Sequence, residues 1–145
     1  MAGEVRTYNS ARVLVLVGGV PLQGFAEGTF VEIAPQADRV SSKAGADGEV
    51  ARSIVPDKRH MITITLQQTS PSNDVLSGMA AADELSGGGL PVPVLVQDLS
   101  GRTVFATDVG WISKAPSLSF GAESGEREWT IETGRPSVFI VGGNL

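Results

Sequence analysis

The chain has 145 residues, 41% of them apolar, with no cysteine and a formal net charge of −5 from 11 Lys plus Arg against 16 Asp plus Glu. That length can bury one core without a metal or disulfide, and the missing cysteines exclude thiolate metal sites and cysteine nucleophiles, as expected of a chain kept in a reducing cytoplasm. No Lys/Arg run exceeds Lys58-Arg59, which argues against the basic face that sequence-independent DNA binding needs; the N-terminus lacks the form of a signal peptide, no stretch approaches the ~20 apolar residues of a membrane span, and a soluble protein with no membrane anchor is expected.

In chain order, ARVLVLVGG at 11–19 is β-branched and ends on a glycine pair, as a strand buried on both faces would. Gly24 and Gly28 then mark a turn or bulge before a strand over Thr29 to Ile33. PQADRVSSKAGADGE, residues 35–49, is polar and ends in Asp47-Gly48, a dipeptide that favours a tight turn. It reads as a long hairpin arm between two strand-like flanks, VEIA and EVARSIV. HMITITLQQT at 60–69 alternates cleanly, with Ile62, Ile64 and Leu66 on one face and Thr63, Thr65 and Gln67 on the other.

TSPSND follows, and Ser70 or Ser72 is placed to cap a helix running from about Asn73 to Leu85, which SGGG at 86–89 stops. PVPVLVQDLSGRTVFATDVGWI offers a strand, a turn at Asp98-Leu99-Ser100-Gly101 and a second strand. EREWTIET and PSVFIVGG supply two more. Seven or eight strands with a single helix predict one mainly β domain over 1–145, a β-sandwich or partly closed β-barrel.

Signals for chemistry are weak. A nucleophilic Ser70 or Ser72 needs a base, and the one histidine, His60, has no motif that brings it near. Neither a G-x-S-x-G elbow nor an H-x-x-x-H pair is present, GADGE lacks the ligand order of a calcium loop, and GGGLP follows a helix instead of leading into one. Asp108, Glu123, Glu126, Glu128 and Glu132 could supply a carboxylate pair for glycoside hydrolysis, but among 16 acidic residues some close pair is inevitable. Trp111 and Trp129 read as core or interface residues. No catalytic residue, cofactor or metal is expected, and no enzyme activity.

VGGVPLQGFAEGTFVEI, DGEVARS, TITLQQTSPSNDVLSGM, REWTIETG and the late GGN together resemble the tail-tube structural proteins of long-tailed bacteriophages, especially contractile-tailed ones, from about Ser10 to Asn144. The resemblance implies a virion subunit, assembled in the host cytoplasm, that forms hexameric rings stacked into a hollow tube. It implies sheath, tape-measure, baseplate and tail-terminator partners, and DNA that passes without specific binding. The arm at 35–49 would reach the next ring, with Arg39, Lys43, Asp47 and Glu49 as ring-to-ring contacts. Thr63, Thr65 and Gln67 would face the lumen or a subunit interface. Edge strands that need covering, and head-to-tail interfaces that close into rings and stack without closing, agree with this. The tube subunit of a type VI secretion or phage-tail-like injection particle is an alternative with the same fold. A small ligand-binding β-barrel or a carboxylate hydrolase is the alternative from another class.

Overall fold

The computed structural model describes residues 3–145. After a 3-10 turn at Ser10–Arg12, the first strand, β1 (Val13–Val17), turns through Gly18 and Gly19 into β2 (Val20–Pro21). Both glycines have positive φ, +60° and +80°, a left-handed conformation that side chains resist. Further strands are β3 (Val31–Pro35), β4 (Val40–Ala44), β5 (Val50–Ile54), β6 (His60–Gln67), β7 (Val92–Asp98), β8 (Val104–Lys114), β9 (Glu126–Thr133) and β10 (Val138–Ile140). One helix, α1 (Ser72–Leu85), lies between β6 and β7.

Eight strands form one antiparallel sheet in the order β2-β1-β7-β8-β9-β6-β3, with β10 alongside β8. The ladder is open, so of the β-sandwich or partly closed β-barrel expected from the sequence no closed barrel is seen among the described residues; a short segment bridges two of the strands instead. Residues 22–26 do the bridging as they continue from β2. Leu22 N–H donates to Val15 O at 2.9 Å, Gln67 N–H to Gly24 O at 2.8 Å and Ala26 N–H to Thr65 O at 3.1 Å. One short segment thus bonds β1 at its start and β6 at its end. It kinks at Gly24, φ +73°, where a Cβ would stand 2.7 Å from the Ser70 side chain.

Alternation in β6 buries Ile62, Ile64 and Leu66 completely. They meet Val15, Val17, Val94, Val96, Phe105, Trp129 and Ile131 in one apolar cluster. Leu76 enters that cluster from α1, and Met79 packs against it one turn further on. Burial of this stripe, more than intrinsic propensity, holds a helix of 14 residues. Gly87 and Gly88, both at positive φ, end the helix as the SGGG run foretold.

The arm departs from its expected layout. EVARSIV was expected to run as a flank beside the arm, yet β5 pairs with β4 alone, in register from Val40↔Ile54 to Ala44↔Val50. The hairpin therefore extends to Ile54 instead of ending at Glu49. VSSKA escapes recognition as a strand because it buries no face: four of its five residues are exposed. Its tip is the foreseen Asp47-Gly48 turn, where Asp47 Oδ1 accepts Glu49 N–H at 3.1 Å and Gly48 has φ +87°. Ten strands, against an expected seven or eight, result from counting β4 and the two-residue β2.

The β7–β8 turn carries a polar knot that anchors the last residues. Asp98 Oδ1 accepts Ser100 N–H at 2.9 Å and Ser100 Oγ–H at 2.6 Å, while Asn144 Nδ2 donates to Asp98 Oδ2 at 3.2 Å. The Ser100 hydroxyl above all, then the Ser100 N–H, the Asn144 amide and the Arg12 charge, hold the Asp98 carboxyl below its ordinary value against partial desolvation. A depressed folded pKa means stabilisation that is fully present above the unfolded value of about 3.9 and lost as pH falls through the folded one. Asp98→Asn is expected to lower Tm at neutral pH, with the deficit shrinking as pH drops below about 3.9. Thermal melts of both proteins across that range check this.

Candidate functional site

TSPSND is a junction between β6, the bridging segment and α1. Ser70 Oγ–H donates to Gln23 O and accepts Ser72 N–H at 3.2 Å, while Ser70 O accepts Asn73 N–H at 3.2 Å. Ser70 thus satisfies two of the helix's free N–H groups. Ser72 does not act as the cap expected of it: it is the first residue of α1, and its Oγ accepts Gln23 N–H at 2.9 Å. Pro71, at φ −66° and ψ −17°, stands at the helix boundary with no side chain able to accept. Both serines are buried, and both hydroxyls are committed to the backbone of Gln23.

Asn73 is a structural residue that the sequence reading passed over. Its Nδ2 donates to Gln67 O at 3.0 Å and Ser70 O at 3.1 Å, and its Oδ1 accepts the Trp129 indole N–H at 2.9 Å. The available signal was indirect: a buried tryptophan needs an acceptor, and asparagine at a helix start has one to offer. His60 begins β6, at the end remote from Ser70, and its Nδ1 lies 3.0 Å from Lys58 O.

The outward face of β6 is acidic in its surroundings. Thr63, Thr65 and Gln67 face away from the core, opposite Thr130, Glu128 and Glu126 of β9. Met61 stands opposite Glu132, and Glu32 of β3 pairs with Thr63 from the other side. Cross-strand partners share a face, so four glutamates surround the threonines. Lys114 opposes Thr130 from β8, and Glu132 is tied by Gln36 Nε2 at 2.9 Å, with Arg59 Nη1 at 4.0 Å. The sequence reading had scattered these carboxylates over a generic surface; only strand register collects them.

Arg39, Lys43, Asp47 and Glu49 are all exposed, but they do not form one cluster. Arg39 sits at the arm's root, where its carbonyl accepts Val55 N–H at 3.0 Å, while Asp47 and Glu49 lie at the tip and Lys43 opposes Ala51 on the hairpin. None of the four makes an ion pair among the described residues.

A model of the family described as Bacteriophage PhiTE tail tube protein matches residues 16–140. The chain belongs to that phage tail tube family. The tail tube protein is 30% identical over 152 aligned positions to structural protein ORF10 of Pseudomonas phage KPP10, covering 99% of this chain and 87% of the relative. Its fold is similar to the tube-terminating cap of the anti-feeding prophage, with TM-score 0.63, 12% identity and coverage of 94% and 93% of the two chains. It is also similar to a chain of the sheath-tube complex of the extracellular contractile injection system PVC in its extended state, with TM-score 0.55, 11% identity and coverage of 96% and 93%. The tail tube protein is accordingly a structural component of the virion tail, mainly β with one helix.

Ser72→Ala in the tail tube protein leaves the part-buried Gln23 N–H without its Ser72 acceptor. A loss of about 0.5–1.5 kcal/mol is expected, the net value of an ordinary hydrogen bond. Urea denaturation, with the exposed Ser41→Ala as the neutral comparison, measures it.

Proposed function

We propose that the protein works as one tail-tube domain of which six copies close into a ring, and that rings stack into a hollow conduit for DNA. The observation that carries this is the self-paired arm. Among the described residues the β4–β5 hairpin hydrogen-bonds as a sheet only to itself, and the arm leaves two strand edges and the exposed charges of Arg39, Lys43, Asp47, Glu49 and Arg52 outside any ion pair. Such edges call for a partner, and a copy in the next ring supplies one at every level of a stack. Arg39, Lys43, Asp47 and Glu49 are the proposed contacts.

The glutamate-ringed face of β6 is the proposed lumen wall, with Thr63, Thr65 and Gln67 towards the passage. Glu32, Glu126, Glu128 and Glu132 share that face. Their charge repels the phosphates of passing DNA, so the nucleic acid slides without specific binding. A tape-measure protein would occupy the same passage before DNA does. A sheath on the outer surface is supported by the likeness to a chain of a sheath-tube complex, and baseplate and tail-terminator proteins would meet the two ends. Assembly would take place in the host cytoplasm, and the role needs no catalysis, cofactor or metal.

The test is Asp47→Lys combined with Glu49→Lys. The circular dichroism of the monomer should stay unchanged, because both side chains are exposed. Tubes seen by negative-stain electron microscopy should shorten sharply or disappear. Tubes of parental length would sink the arm's role.

A further inference from the structure

Arg127 is a buried cation with no carboxylate partner. Only 5% of it is exposed, and no acidic side chain lies within 4.0 Å among the described residues. It belongs to the core-facing side of β9 with Trp129, Ile131 and Thr133. Its acceptors are two main-chain carbonyls, Glu126 O at 2.9 Å and Ser119 O at 3.5 Å, and the Phe120 ring centroid lies 5.3 Å from Cζ. A guanidinium has five donors in a planar fork matched to a carboxylate, so two carbonyls leave most of its capacity unused. The unused donors remain free for an anion, the partner that a guanidinium fork fits best.

The space for that anion exists. A cavity of about 410 Å³ opens beside Arg127, lined also by Gln68, Asn73, Leu118, Phe120 and Trp129. Its outer wall comes from residues 115–125, which have no regular structure and expose Leu118 by 67% and Phe120 by 77%. Its chemistry is a buried cation behind an apolar rim.

The arm tip carries the complement. Glu49 is exposed, its carboxylate makes no hydrogen bond or ion pair among the described residues, and its neighbour Val50 is 62% exposed. Asp47 is less suited, because its Oδ1 is already engaged by the turn. An acid next to an apolar side chain fits a cation next to Leu118 and Phe120.

The arm's root and the Arg127 cavity lie at opposite ends of β6, the arrangement that docking between copies requires. The arm leaves the sheet where Pro35 pairs with His60, at the start of β6, while Arg127 stands opposite Leu66, near its end. These ends are roughly 20 Å apart at ~3.3 Å per residue. A projection at one end and a receptor at the other define a head-to-tail contact that repeats without closing.

We propose that the Arg127 cavity is the receptor for the arm tip of a second copy of this chain, with Glu49 as the carboxylate that pairs with the guanidinium. The proposal rests on the stacking reading above and specifies where the arm lands. The chain has no cysteine, so introduced ones report contacts without background. Val50→Cys with Leu118→Cys, both at exposed positions and with Glu49 retained, should give a ladder of disulfide-linked multimers when sedimented tubes are oxidised. Val50→Cys with Leu85→Cys, on the far end of the helix, should give none. Adding Arg127→Met to the first pair should weaken the ladder, and because the cross-link itself does not require that variant, misfolding of the methionine protein would not obscure the result. Tubes without a ladder, or equal ladders from both pairs, overturn the docking site while leaving stacking intact. If the parent chain forms no tubes even with its tail partners, the stacking reading fails and the docking site fails with it.

Discussion

Strand β6 imposes the constraint on which the other elements depend. It is hydrogen-bonded along its full length to β9, to β3 over its first half, and to the bridging segment 24–26 over its last three residues. With both edges occupied, its side chains can only alternate, and the alternation assigns Ile62, Ile64 and Leu66 to the core and Thr63, Thr65 and Gln67 to the opposite face. A slip of one residue would bury the threonines and expose the isoleucines. Register here therefore sets both the core and the polar wall.

The two ends of β6 have different chemistry, and that difference gives the subunit a direction. At the His60 end, His60 packs against Phe105 and Phe139, with ring centroids 5.2 and 5.0 Å away, beneath the point where the arm departs. Arg59 is paired there with Asp57, whose carboxyl is held below its usual range chiefly by hydrogen bonds from Arg59. At the Gln67 end, the junction of Ser70, Ser72 and Asn73 joins strand, bridge and helix through side-chain hydrogen bonds.

The junction also illustrates why hydroxyls in a chemical-sounding motif can be structural. Each serine at 70 and 72 bonds one backbone group of Gln23, a residue nearly 50 positions earlier. Glycine at 24 permits that approach, because a Cβ there would collide with Ser70. The motif TSPSND and the motif PLQGFAEG are thus two halves of one contact. Their relation is invisible along the chain, where each reads as a local turn.

What the sequence determined by itself was whatever depends on near neighbours. The period-2 pattern of β6, the apolar run of β1, the Asp47-Gly48 turn, the glycine stop after α1 and the absence of cysteine chemistry all follow from adjacent residues and their steric or hydrophobic preferences. Tertiary structure decided what depends on register and on distant pairing. β4 has no buried face and so leaves no hydrophobic signature; its identity as a strand comes from β5 alone. Glu32, Glu126, Glu128 and Glu132 share a face only because three strands align as they do. Ser72 leaves the helix cap to Ser70 because Gln23 arrives from across the sheet. Arg127, one charge among the 11 Lys and Arg residues of the chain, becomes a distinctive residue only when the fold buries it without an acid. Periodicity is written in neighbouring side chains, whereas burial and pairing across a sheet are properties of the folded chain.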